Sequence, residues 1–103
     1  MNIIWTHSAR DELKFIYEYY RDIVSPKVAR KIKDNIIKRI EILNNFPYAG
    51  QEEETLKVLK ENHRYLVESN YKIIYKVTKN IVYITDVFDT RRDPQDIIEK
   101  HRI

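Results

Sequence analysis

The chain has 103 residues, of which 43% are hydrophobic and 34% charged, with a formal net charge of +3. That length supports one domain, residues 1–103, around a single core, and one glycine with three prolines argues against disorder or long loops. The absence of cysteine excludes disulfides and thiol or cysteine-based zinc chemistry. No run approaches the apolar length of a membrane span, and the start is too short for a signal-peptide core, so a cytoplasmic location is expected.

Asn2 to Thr6 is rich in β-formers and is predicted to be a short strand. Ser8 then reads as an N-cap, with Asp11 at the capping-box position. Ala9, Leu13, Ile16, Tyr20 and Val24 recur at helical spacing, so a first helix is predicted from about Ala9 to about Ile23. Ser25-Pro26 restarts the pattern, because serine caps and proline suits the first helical position. Ala29, Ile32, Ile36, Ile40 and Leu43 form one apolar stripe, and this second helix should end near Asn44. So short a connection makes the helices antiparallel neighbours.

Asn44 to Thr55 is the one loop-like stretch, punctuated by Pro47 and Gly50. Leu56 to Leu59 fits either an edge strand or a helical turn. His63 to Ser69, Tyr71 to Thr78 and Ile81 to Phe88 alternate as strands of a meander. Period-two geometry puts Tyr71, Ile73, Tyr75 and Val77 on one face, and likewise Ile81, Tyr83, Thr85 and Val87. Asn tolerates positive φ, so Lys79-Asn80 can make the turn. Asp93-Pro94-x-Asp96 reads as the start of a short C-terminal helix.

The order β-α-α-β-β-β plus a C-terminal helix predicts an α+β fold. An αα-hairpin should cover one face of a three- to four-stranded antiparallel sheet and leave the other face open.

Charge is unevenly spread. Lys27, Arg30, Lys31, Lys33, Lys38 and Arg39 face a single acid, Asp34, while Glu52, Glu53 and Glu54 form an acidic run. A basic stripe suits DNA, RNA or an acidic protein segment, and also an ordinary solvated helix face. Arg91 and Arg92 at the end of the last strand could bind an anion. They could equally pair with Asp86, Asp89 or Asp93. His63 reads most simply as a strand-surface residue, and Arg64 with Glu68 as a surface ion pair.

Several short motifs occur in a fixed order. Ala9 and Asp11-Glu12-Leu13 follow the first strand, and Leu43-x-x-Phe46-Pro47-x-x-Gly50 follows the helices. Then come Arg64, the strand Tyr71-Lys72-Ile73-Ile74-Tyr75-Lys76-Val77, and Val82 to Arg92 ending in basic residues. In this arrangement nearly the whole chain resembles the RelE/ParE superfamily of toxins from bacterial type II toxin–antitoxin modules.

The resemblance implies a growth-arresting protein neutralised by a cognate antitoxin, with no cofactor and no metal. The ParE branch poisons DNA gyrase, and the helical hairpin with its Pro47-x-x-Gly50 loop looks more like that branch. The RelE branch cuts mRNA on the ribosome by metal-free chemistry, which needs a proton acceptor for the 2′-OH and cations around the phosphate. On that reading Arg64, Lys72, Arg91, Arg92 and His63 are the catalytic candidates. His63 and Tyr65 fall where that branch has lysines, and a catalytic tyrosine near the C-terminus has no clear match. A grouping of Glu68, Arg64 and His63 is a further candidate, although parity turns His63 to the opposite face. A third reading is a toxin fold that survives as a non-toxic binding remnant. Ile74, Tyr75, Lys76 and Phe88 are candidate antitoxin contacts, and an acidic antitoxin segment would complement Lys72, Lys76 and the basic helix.

Overall fold

The structure, a computed structural model, describes residues 2–102. Its elements are β1 (Asn2–Trp5), α1 (His7–Ile23), α2 (Pro26–Ile40), β2 (Gln51–Glu52), β3 (Arg64–Glu68), β4 (Tyr71–Thr78), β5 (Ile81–Asp89) and α3 (Gln95–His101). Two 3₁₀ segments, Glu41–Asn44 and Glu54–Leu59, fill the connections. The sheet has five strands in the order β1-β5-β4-β3-β2.

The sheet is mixed, which corrects the expectation of a purely antiparallel one. β3, β4 and β5 form the antiparallel meander, but β1 pairs in parallel with β5, Ile3 opposite Val82 and Trp5 opposite Ile84. The partner of β1 lies nearly eighty residues away in sequence, and no local pattern encodes its direction. The same long-range join moves the helix start. Thr6, not Ser8, is the N-cap: its hydroxyl accepts from Ala9 N–H at 3.1 Å and donates to the Ile84 carbonyl at 3.1 Å. The residue that joins β1 to α1 is therefore tied to the sheet and caps the helix at once. Val24 falls just beyond α1 and is exposed. α2 starts as expected, with Ser25 Oγ accepting from Val28 N–H at 3.1 Å and Pro26 in the first turn.

The hairpin packs on one face of the sheet. Ala9 and Ile16 of α1 and Ile36 and Ile40 of α2 join Leu43, Leu66, Ile73, Tyr75, Val82, Ile84 and Val87 in one buried cluster. Val82, Ile84 and Val87 share this face only because β5 carries a bulge. Tyr75 pairs with Ile84 while Ile74 pairs with Asp86, leaving Thr85 as the extra residue. The bulge resets the alternation, so Ile81 and Tyr83 do not share a face with Val87, contrary to strict period two. At the β4–β5 turn, Lys79 and Asn80 both adopt positive φ, 50° and 64°, the pattern of a two-residue hairpin matched to strand twist.

The other face is not open. Leu56 of the 3₁₀ segment Glu54–Leu59 and Ile97 of α3 pack on Ile74 and Phe88 in a second buried cluster, with Leu59, Tyr65 and Ile98 around them. Burying a side chain of this size contributes roughly 1.5–3 kcal/mol, which is why these two short segments dock although neither would be stable alone. Asp93 orders the start of α3 by accepting from Gln95 N–H at 3.0 Å.

Candidate functional site

The five ribonuclease candidates do not converge. Arg64 lies opposite Tyr75, on the helix-covered side, whereas Lys72 lies opposite Val67 and Phe88 on the other side of the sheet. Arg91 and Arg92 follow the far end of β5. A cleft of about 610 Å³ beside β2 is lined by Tyr48, Glu53, His63 and Arg64 among others, but not by Lys72, Arg91 or Arg92.

Each of these groups has an internal partner or is enclosed. The Arg64 guanidinium donates to the Gly50 carbonyl at 2.8 Å and stacks over Tyr48 at 5.3 Å, so it pins the Pro47–Gly50 loop to the sheet. The expected Arg64–Glu68 pair is therefore replaced by backbone contacts. Lys72 Nζ lies 3.0 Å from Oε2 of Glu53, a carboxylate only 2% exposed, and 4.3 Å over the Tyr65 ring. Arg91 grips Asp89 through two nitrogens, the closer at 2.7 Å. Arg92 reaches Asp96 at 3.4 Å and covers Phe88 at 5.3 Å. The Arg91 hydrogen bonds and one from Asn70 depress the Asp89 carboxyl to about 2. Arg91 is thus paired with a carboxylate at the place where a phosphate would need it.

His63 is not a surface residue, which corrects that reading. It is buried, and its Nδ1 has no partner among the described residues. Its ring meets the His101 ring edge-on at 5.1 Å. Burial, followed by the His101 charge, lowers the His63 pKa to about 4, which makes it a neutral imidazole at neutral pH. Parity keeps it on the face opposite Arg64, so the Glu68–Arg64–His63 grouping is not assembled.

The proposed antitoxin contacts need the same correction. Ile74, Tyr75 and Phe88 are all buried and offer no surface in this fold. Tyr75 instead accepts a 2.8 Å hydrogen bond from Gly50 N–H across the core. Lys76 stays partly exposed and pairs with Glu61.

Sequence reading missed two ion pairs made to buried carboxylates and one aromatic cleft. Lys72–Glu53 is the first pair. In the second, Lys100 of α3 lies 2.6 Å from buried Asp86 and 3.0 Å from Glu12 of α1, tying α3 to both other layers. Burial raises the Asp86 pKa while the Lys100 ammonium opposes that shift. The cleft, about 230 Å³, lies between α1 and the end of the sheet and is lined by Phe15, Tyr19, Tyr20, Tyr71 and Arg91 among others. Phe15 is 66% exposed and stacks on Tyr19 at 6.4 Å. With exposed Ile23 they form a row at i, i+4 and i+8 along α1. That spacing was visible in the sequence, but its exposure was not.

The sequence profile described as "ParE toxin of type II toxin-antitoxin system, parDE" matches residues 3–94. The chain belongs to the ParE toxin family. The fold agrees. A solved structure described as "Chromosomal ParDE TA system from P. aeruginosa" superposes with a TM-score of 0.73 at 20% identity, covering 86% of this chain and 95% of that one. A sequence search of curated proteins returns no match. This ParE-family protein is a toxin component of the type II class, with the strand, helical hairpin and sheet of the RelE/ParE superfamily. Among its described residues no helix is long and apolar enough to cross a membrane.

Proposed function

We propose that this toxin arrests growth by protein contact with DNA gyrase, as the ParE branch does, and is held inactive by a cognate antitoxin. One observation carries the preference over mRNA cleavage. The cations that a ribonuclease would aim at one phosphate are spread over two sheet faces and committed to Gly50, Glu53, Asp89 and Asp96. Transition-state stabilisation of a phosphoryl group needs convergent, uncommitted donors. The exposed row Phe15, Tyr19 and Ile23, beside the aromatic cleft, supplies what a protein partner needs: apolar anchors next to a polar rim. We assign the antitoxin contact to this row, with Lys76 at most a peripheral contributor.

Pulse-labelling after induced expression without antitoxin tests the target. Thymidine incorporation should fall before amino-acid incorporation, and purified toxin should inhibit supercoiling by gyrase. Collapse of protein synthesis first, abolished by Arg64→Ala or Lys72→Ala variants that still fold, would overturn this reading in favour of mRNA cleavage. For the antitoxin, Phe15→Ser/Tyr19→Ser should weaken co-purification without changing the melting temperature.

A further inference from the structure

The net charge of +3 conceals a polarised molecule. The segment Lys27–Arg39 carries six bases and one acid, net +5, so the remaining thirteen bases and fifteen acids net −2. Most cations elsewhere are occupied. Off α2, Arg21, Lys57, Lys72, Lys76, Arg91, Arg92, Lys100 and Arg102 each sit in an ion pair and Arg64 holds the Gly50 carbonyl, while exposed Arg10, Lys14, Lys60 and Lys79 have no ion pair among the described residues but lie on separate elements and turns. On α2, Lys27, Arg30, Lys31 and Lys38 are all exposed. None of the four has an ion-pair, hydrogen-bond or aromatic partner among the described residues, whereas Lys33 covers Tyr17 and Arg39 donates to the Val67 carbonyl.

At 100° per residue the four free cations fall within about a quarter to a third of the helix circumference, and they span about 16 Å of its length. Asp34 is the one acid inside the stripe. The stripe has no aromatic side chain on which an unpaired base could stack. It also lacks the buried apolar anchor that a protein segment would need, since Ile37 flanks the stripe at its edge and is only 39% exposed. What remains is a row of exposed cations along a convex helix about 10–12 Å across. That suits the major groove of B-form DNA, about 12 Å wide, and not the narrow major groove of A-form RNA.

We infer that the exposed face of α2 is a sequence-independent docking surface for duplex DNA, with Lys27, Arg30, Lys31 and Lys38 contacting backbone phosphates. Such contacts gain their free energy from release of condensed counterions and carry no base readout. The surface lies apart from the α1 aromatic row, and it does not depend on which target the toxin attacks. The acidic remainder of the molecule would orient the approach, with α2 leading.

The test is fluorescence anisotropy of a labelled duplex DNA of arbitrary sequence, titrated with the full chain. With three or four phosphate contacts, affinity should fall about 40- to 150-fold between about 50 and about 200 mM salt. Lys27→Gln/Lys31→Gln/Lys38→Gln should remove most of that salt dependence and leave the circular-dichroism melt unchanged, because none of the three has a partner among the described residues. Lys14→Gln/Lys60→Gln/Lys79→Gln makes the same charge change elsewhere and should retain most of the binding. No binding at the lower salt would overturn the proposal, as would equal weakening by the two triple variants. Equal affinity for duplex RNA would overturn the groove assignment. Competition by poly-glutamate at equal charge would assign the stripe to an acidic protein segment instead.

Discussion

Replacing His63 by leucine is expected to flatten the pH dependence of stability on the acid side. The imidazole is 4% exposed, beside His101 and with an unpartnered Nδ1. Burial, then the His101 charge, lowers its folded pKa from 6.5 to about 4, against weaker opposing pulls from Glu61 and Glu53. The folded state therefore binds fewer protons than the unfolded one between those values. Stability from this group is fully present above the unfolded pKa and is lost as pH falls through the window down to about 4. Integrated between about pH 7.5 and about pH 5, the loss is roughly 2 kcal/mol, approaching roughly 3 kcal/mol at lower pH. Leucine is of similar size and removes the buried nitrogen that has no partner among the described residues, so stability near neutral pH should stay within about 1 kcal/mol of the parent. Urea unfolding of both proteins across that range, with two-state fits, measures the difference. If the variant loses as much stability on acidification as the parent, the reasoning fails. An NMR titration of His63 with a midpoint near its unfolded value would be equally fatal.

Three further outcomes follow from the geometry. A Cβ on Gly50 would lie 2.6 Å from both the Tyr65 carbonyl and the Tyr75 hydroxyl, so Gly50→Ala should cost about 2–4 kcal/mol by overpacking and by disturbing the Gly50–Tyr75 bond; unchanged denaturant midpoints would contradict this. Lys72→Met leaves Glu53 buried without its ammonium and should cost about 2–3 kcal/mol, with Glu53→Gln in the same background recovering at least half. A double variant as unstable as the single one would show that the pair is not the cause. Asp86→Asn removes the deepest anchor of Lys100 and should speed amide exchange in α3 relative to β4 and β5, while uniform protection across all three elements would rule out the latch.

Much of the local structure was legible because it is set by near neighbours. Ser25-Pro26 contains its own capping geometry, Lys79-Asn80 its own turn preference, and the stripes of α1 and α2 their own period. The candidate site was far less legible. The identities of Arg64, Lys72 and Arg91 say that cations are available, but not that Gly50, Glu53 and Asp89 occupy them. His63 alternates like a surface residue, and only α3 folding back, with His101 at its end, encloses it. Likewise Ile74 and Phe88 sit on the face that a simple hairpin-on-sheet scheme leaves bare, until Leu56 and Ile97 arrive from opposite directions to cover it.

Local signals were enough for the α+β class, the helical hairpin, the three-strand meander, the basic stripe of α2 and the resemblance to one toxin superfamily. All of these rest on period, cap and turn chemistry within a few residues, or on short motifs in order. Long-range contacts set the parallel pairing of β1 with β5, the Thr85 bulge that resets which residues face the core, and the closure of the second sheet face. They also set which charges are occupied. Those depend on groups that meet across tens of residues, where the pairing partner and its distance decide whether an arginine binds a phosphate or merely holds a loop in place.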